Sequence, residues 1–464
     1  MRPISIAQLR RACGAEAGDF PREAGAFVHG VCTDTRDMKR QSLFVALSGE
    51  RFDGHEFLAQ AAAAGAIAAL VERIPAAPPR GMHLLRVENT RTAMGRLARQ
   101  VRQQMRGRVI AVAGSNGKTS TKLLIGAVLR DPLWGTVSPK SFNNDIGVPL
   151  AIFPADPMQD YLVLEIGTNH PGEVKNLAEI ALPDIAVITN CSAEHLEGLG
   201  DENGVRRENV SLIDGLAPGG LLLINGDDPQ LAEAVRDYRG RRVTFGFSAG
   251  NDLRATEIVC DESGVRFKVN QFDEPAYVPM LGRHSAANAL AAIAVGRELG
   301  LSDRKILENL AQARGPEMRL ELADCGDVRL LNDAYNANPA SMKAAIETLA
   351  GLPATGRRVA VVGEMRELGE ASESLHREIG RFIAVDFPPD LLVCVGKMGQ
   401  AIAAEARRNG LADDRVEYFA DAAAACAVAR RLRRGDLVLL KGSRAVRLET
   451  VARAIEADAA GRAS

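Results

Sequence analysis

The chain is poor in aromatic residues, with one Trp, five Tyr and 14 Phe among 464 positions. That scarcity argues against the stacked aromatic platforms on which single-stranded nucleic acids lie. Positive charge is not in excess either: 57 Lys and Arg stand against 59 Asp and Glu, a formal net charge of −2. No basic field grips a phosphate backbone, so no nucleic-acid partner is expected. The seven cysteines (Cys13, Cys32, Cys191, Cys260, Cys325, Cys394, Cys426) are scattered singly with no CxxC pair. They read as reduced thiols of a cytoplasmic protein without a structural zinc site. The most apolar stretch, 59–71, is alanine-rich and too short to cross a bilayer, and the first residues lack the apolar core of a signal peptide. What remains, 46% hydrophobic and 25% charged, is an ordinary globular balance, and the length suggests about three domains.

A proline-rich break at 74–79 precedes a short strand and a basic helix over 90–104. The run 108–113 is β-branched and alanine-rich, ends in a glycine-rich turn and passes into helical periodicity at 121–129, the opening of a parallel α/β unit. Buried strands are expected at 161–166, 185–189 and 221–224, a small antiparallel patch over 243–280, and a helix over 284–299. Past Pro316 the alternation restarts with strands at 328–331, 358–362, 391–395 and 437–440. The expected fold class is therefore α/β in three domains, 1–106, 107–315 and 316–464: a smaller α/β unit, a central mostly parallel sheet and a doubly wound, Rossmann-like sheet.

The strongest chemical signal is Gly114-Ser115-Asn116-Gly117-Lys118-Thr119-Ser120, directly after a strand and before a helix. The N–H groups of such a loop and the positive end of the helix dipole cradle an anion. Lys118 would reach the outer phosphates of a nucleotide and the Thr119 hydroxyl would ligate Mg²⁺. The general P-loop pattern has glycine where this chain has Val112, so the match is partial. Glu165 falls near the C-terminal end of a buried strand, where an acid has no apolar reason to stand and a Mg²⁺ ligand would explain it. In the following Thr168-Asn169-His170-Pro171-Gly172-Glu173, a capping role is expected, with Pro171 at the first helical position. His195, in the loop after a third strand of the same sheet, would ligate a metal ion or orient phosphate, or is simply a satisfied polar residue. In the last unit, Asn332-Asp333-Ala334-Tyr335-Asn336-Ala337-Asn338-Pro339, the 363–369 segment and Lys441-Gly442-Ser443-Arg444 would emerge from one sheet edge facing the nucleotide.

These segments, with Thr33-Asp34-Thr35-Arg36, Gly49-Glu50-Arg51-Phe52-Asp53-Gly54-His55 and Asn143-Asn144-Asp145-Ile146-Gly147-Val148-Pro149, resemble the Mur ligase family in order and through nearly the whole chain. The resemblance implies an ATP-dependent amide ligase of peptidoglycan precursor synthesis, using ATP and Mg²⁺, cytoplasmic and monomeric, with a UDP-sugar domain, an ATPase domain and a domain for the incoming amino component. The Tyr335-to-Pro339 run and the Glu367-Leu368-Gly369-Glu370 loop favour D-alanyl-D-alanine as that component and UDP-N-acetylmuramoyl-tripeptide as the acceptor. The competing readings are a sister ligase adding a single amino acid and a nucleotide-binding homologue impaired in turnover.

By the same resemblance Thr33, Asp34, Thr35 and Arg36 would lie at the uridine nucleotide. Gly114 to Ser120 would hold the triphosphate, with Lys118, Glu165 and His195 catalytic and Thr119, Glu165 and His195 at the metal. Asn288, Arg319, Asp333 and Tyr335 would contact ATP, and Asn336, Asn338 and Met365 the dipeptide. Many Mur ligases also carry a carbamylated lysine in the helix after His195. Here that position is Asn209, a weaker neutral ligand at best, and the neighbouring Glu208 points to another helical face.

Overall fold

A computed structural model describes residues 1–16, 26–49 and 52–463; Glu50 and Arg51 of the family-like segment lie outside them. Among the described residues there are four β-sheets. A two-stranded ribbon pairs Ile4–Ser5 with Phe27–Val28. Strands Gly30–Cys32, Ser42–Val45, Ala66–Val71 and His83–Arg86 run parallel in that order. Helix Thr90–Gln103 follows, started by the Asn89 side chain accepting from the Thr92 N–H. Its apolar stripe, Met94, Leu97 and Val101, enters a single core with Val109, Leu164 and Leu177 of the next unit. The contact is tight. A Cβ on Gly95 would stand 2.8 Å from Ile180, and the buried Arg102 donates to Ala181 O at 3.0 Å and pairs with Asp184 at 2.7 Å.

The central sheet has nine strands, in the order Ala276–Val278, Gly264–Val269, Leu253–Asp261, Arg241–Gly246, Leu221–Asn225, Ile185–Ile188, Arg108–Ala113, Tyr161–Glu165, Gly135–Val137. The last six are parallel, and the four between Arg241–Gly246 and Gly135–Val137 are almost wholly buried, as apolar runs covered on both faces require. From strand Arg108–Ala113 the chain moves to one side for the next two strands, then crosses to the other. Such a reversal opens a crevice at the carboxyl ends of the strands. The antiparallel patch expected over 243–280 prolongs this same sheet, and only 253–278 is antiparallel; Arg241–Gly246 joins in parallel.

The third large sheet runs Glu321–Cys325, Val328–Asp333, Leu437–Lys441, Arg358–Gly363, Leu391–Val395, Val416–Phe419. The first strand is antiparallel and the others parallel. The first and last strands were not anticipated because both are short, partly exposed edges with little apolar signal. Asp436 ties the entrance of this sheet: its buried carboxylate accepts from the backbone N–H groups of Arg357 (3.0 Å) and Arg433 (2.9 Å) and from the Arg357 guanidinium (2.7 Å). Burial alone would raise its pKa, but these donors outweigh it and hold the carboxyl below its ordinary value. Its stabilisation is therefore present above about pH 4 and is lost as pH falls through the folded value. A melting series from pH 6 to 3 should fall less steeply in Asp436→Asn than in the parent; equal slopes would refute this role.

No helix among the described residues is long and apolar enough to cross a membrane.

Candidate active site

The three loops that leave the central sheet at its reversal build the site. Gly114 and Gly117 take φ of 126° and 81°, a region that L side chains avoid. A Cβ would meet Thr189 Oγ1 at 2.2 Å from the first and Asn288 Oδ1 at 2.6 Å from the second. Between them the loop is fastened to the next one: Ser115 N–H donates to Asn190 O (2.8 Å), Asn116 N–H to Asn190 Oδ1 (3.1 Å), and the Thr189 hydroxyl to Asn116 O (2.6 Å). The helix starts at Lys118, three residues before the sequence periodicity indicated. Its first N–H groups have no acceptor inside the helix and offer an anion cradle. Val112, where a longer P-loop would have glycine, is fully buried in the strand, so no backbone freedom is needed there. Lys118 folds back on its own loop, donating to Gly114 O (2.5 Å) and Ser115 O (3.1 Å), with Glu194 at 3.8 Å. Burial raises the pKa of Glu194, a shift that Lys118 and His195 partly oppose.

Glu165 closes the second strand with 1% side-chain exposure. Its Oε2 accepts from the Thr119 hydroxyl at 3.0 Å and forms an ion pair with Lys122 Nζ at 3.0 Å, while Oε1 accepts from Asn143 Nδ2 at 3.0 Å. A hydroxyl that donates to a carboxylate keeps a lone pair for a cation, so the Thr119–Glu165 pair fits Mg²⁺, which takes oxygen ligands from one or two side chains and fills the rest with phosphate and water. Lys122 was missed in the sequence, because a lysine inside a helix is normally a solvated surface residue. Here it is 1% exposed and also donates to Lys140 O.

From the third sheet, Arg319 donates to the Thr119 hydroxyl (3.3 Å) and lies 4.3 Å over the Tyr335 ring, whose hydroxyl bonds Ser141 Oγ (2.8 Å). Asn338 caps the helix Pro339–Gly351 with its carbonyl and donates to Asn116 Oδ1 (2.9 Å) with its amide. Asp333 accepts from Leu320 N–H (3.2 Å) and pairs with Lys441 (2.8 Å), which also donates to Asn336 O (2.6 Å). Burial lowers the pKa of Lys441 and of the adjacent His284. Asn288 faces Gly117 with a buried Nδ2 that has no acceptor among the described residues. Apart from Thr119, which lies behind Glu165, these groups line one cavity of about 1030 Å³, together with Ser115, Ser120, Glu165 and His195. The cavity volume, the glycine cradle and the orphaned amide suit a nucleoside triphosphate.

The remaining expected residues lie elsewhere. Met365, expected at the dipeptide, is instead 1% exposed with its side chain in the third sheet's core, and its neighbours Arg366 and Glu367 line a second cavity. Glu367 instead binds His195 Nδ1, which holds its carboxyl below the ordinary range. His195 sits at φ 48° with its other ring nitrogen 3.8 Å from Glu194. Thr33, Asp34, Thr35 and Arg36 are not among the residues lining the cavity; Asp34 caps a 3-10 turn and pairs with Arg36, which lowers its pKa to about 2.

Glu173 accepts from the Asn169 and His170 N–H groups (2.7 and 3.1 Å), as capping predicts, but Pro171 precedes the N-cap Gly172 instead of opening the helix. Glu208 accepts from Gly172 N–H and Val174 N–H (both 2.7 Å), fastening that helix start. Asn209 is buried and donates back to Val205 O (2.9 Å). Among the described residues no cluster of three His, Cys, Asp or Glu could hold a metal ion by itself.

The chain matches three family descriptions in order: Mur ligase family, catalytic domain, at 27–102; Mur ligase middle domain at 112–296; and Mur ligase, glutamate ligase domain, at 318–444. It is 38% identical to the UDP-N-acetylmuramoyl-tripeptide–D-alanyl-D-alanine ligase of Bacillus subtilis, over 93% of this chain and 94% of that one. Against the ligase of the same name from Escherichia coli it is 38% identical, over 98% and 99%. Among solved structures it superposes on MurF from Acinetobacter baumannii with a TM-score of 0.87, 30% identity and coverage of 98% and 99%. MurF ligase from Thermotoga maritima in complex with ADP gives 0.82, 28%, and coverage of 94% and 99%. With a phosphate cradle, an acid-backed hydroxyl and a third sheet leaning over both, matched from end to end by these relatives, the chain belongs to the Mur ligase family.

Proposed function

We propose that this enzyme joins D-alanyl-D-alanine to UDP-N-acetylmuramoyl-tripeptide at the expense of ATP, through an acyl phosphate, giving UDP-N-acetylmuramoyl-pentapeptide, ADP and phosphate. The observation that carries it is the convergence of Lys118, Glu165 (which accepts from Thr119) and His195 on one cavity that Arg319, Asp333, Tyr335 and Asn338 close from the third sheet. In this reading 1–106 holds the UDP-sugar through Thr33 to Arg36, 107–315 binds ATP, and 316–464 receives the dipeptide. The enzyme works as a cytoplasmic monomer, in keeping with seven free cysteines.

The chemical obstacle is a carboxylate approaching a triphosphate. Two like charges about 4 Å apart repel by roughly 4 kcal/mol at an effective dielectric of 20. Lys118 meets this by turning its ammonium from its own loop carbonyls to the phosphates. Thr119 and Glu165 would hold Mg²⁺, which supplies further charge neutralisation when bound. Arg319 and Asn338, bonded to Thr119 and Asn116, keep the third sheet shut over the loop, and a shut site protects an acyl phosphate from water. His195 orients toward Glu194, between the phosphate cradle and the third sheet.

Purified protein given ATP, Mg²⁺, the UDP-tripeptide and D-alanyl-D-alanine is expected to release phosphate and form the pentapeptide nucleotide. Replacing the dipeptide by single amino acids should abolish product. Turnover with a single amino acid, or none with the dipeptide, would refute the assignment.

A further inference from the structure

Glu367 and His195 meet across two domains. His195 belongs to the loop after strand Ile185–Ile188 of the central sheet, and Glu367 to the loop after strand Arg358–Gly363 of the third. Both have positive φ, 64° for Glu367 and 48° for His195, a conformation that costs a residue with a Cβ and persists only where its surroundings impose it. Those surroundings are plain at Glu367. The buried His376 ring donates through Nδ1 to Ser372 O (2.6 Å) and accepts the Met365 N–H at Nε2 (2.8 Å), while Ser443 Oγ accepts the Arg366 N–H (2.8 Å). With the preceding residues fastened in this way, Glu367 is presented to the central sheet. Its carbonyl accepts the Glu197 N–H (3.1 Å), its carboxylate takes His195 Nδ1, and a Cβ on Gly369 would stand 3.3 Å from Glu197 Cα. His195 Nδ1 has no other partner among the described residues. The Glu367 side chain is 55% exposed, so the pair adds little to stability. Backbone strain kept for a contact that hardly stabilises the fold points to a functional use.

We infer that Glu367 is a positioning residue for the ligase reaction, acting through His195; this rests on the ligase assignment above. A carboxylate only accepts, so the ring proton stands on Nδ1 and Nε2 keeps its lone pair. The ring is thereby turned with Nε2 3.8 Å from Glu194, on the side of Lys118 and the phosphate cradle. An imidazole without such a partner has neither its tautomer nor its plane fixed. Because the acceptor comes from the third sheet, His195 is set only while that sheet is shut over the central one. Closure then excludes water and orients the histidine in the same movement.

The test is steady-state kinetics on the full-length enzyme together with nitrogen-15 spectra of its histidines. Glu367→Ala should lower kcat about 10- to 100-fold, the usual cost of removing such a partner. The KM values for ATP, the UDP-tripeptide and D-alanyl-D-alanine should stay within about threefold and the melting temperature within about 2 °C. Glu367→Gln, whose side-chain carbonyl still accepts, should recover part of the rate. In a His195→Ala background, Glu367→Ala should cost no further rate, because the ring it acts through is gone. With ADP bound at about pH 8.5, above the ordinary histidine range, His195 of the parent should carry its proton on Nδ1, and Glu367→Ala should lose that signature. A parent His195 protonated on Nε2, a Glu367→Ala enzyme with the parent's kcat, or an undiminished further loss in the His195→Ala background would each overturn the role of Glu367 while the ligase reading stands. If the parent makes no product from D-alanyl-D-alanine, the ligase reading itself fails, and with it any positioning for that reaction.

Discussion

Lys122→Met is expected to lower ligase activity about 100-fold and to cost the fold roughly 3–5 kcal/mol, the usual penalty for removing one partner of a buried ion pair. Lys122 and Glu165 are both 1% exposed and 3.0 Å apart, so water cannot replace the missing ammonium. Methionine matches the length of the stem but offers Glu165 no cation and Lys140 O no donor. Without Lys122 the Glu165 carboxylate loses one of the partners that fix it beside Thr119, so the Mg²⁺ concentration for half-maximal rate should rise.

Two measurements separate this from generic damage. Lys122→Met/Glu165→Gln should regain most of the lost melting temperature, because removing both charges leaves none stranded, yet stay inactive. Glu165→Gln alone should be inactive as well. A Lys122→Met enzyme with the parent's melting temperature and Mg²⁺ dependence would show that the pair has no such role.

The contrast between these two acidic-site residues shows what a sequence can reveal. Glu165 was legible because an acid at the end of an apolar run is out of place, and the glycine loop because its spacing has a backbone cause. Lys122 was invisible: its burial depends on Glu165, 43 positions away, and on the Lys140 carbonyl. The same holds for Glu208, whose partners are the N–H groups of a helix start more than 30 residues earlier. Parallel buried strands announced themselves as apolar runs, whereas the edge strands Glu321–Cys325 and Val416–Phe419 lacked that signal. Met365 misled for the opposite reason. It stands in a loop at the right sheet edge, but its side chain turns into the core and passes the surface to Arg366 and Glu367.

Lys118→Met should behave differently from Lys122→Met although the two lysines stand one helical turn apart. Lys118 holds no buried carboxylate in a hydrogen bond; its ammonium rests on two carbonyls of its own loop, and Glu194 is 3.8 Å away. Burial already pushes Glu194 toward its neutral form, so the loss of Lys118 strands little charge. The melting temperature should therefore move by no more than about 2 °C, in line with a change near 0.5 kcal/mol. Catalysis has no such cushion. Removing a fixed donor aimed at developing charge costs about 10²–10³ in kcat, close to 3–4 kcal/mol. The Mg²⁺ dependence should stay at the parent's value, because Thr119, Glu165 and Lys122 are intact. One lysine thus acts on the phosphates and the other on the acid behind the cation. A Lys118→Met enzyme with an unchanged kcat, or with a raised Mg²⁺ requirement, would break that division, since both residues would then act through the same carboxylate.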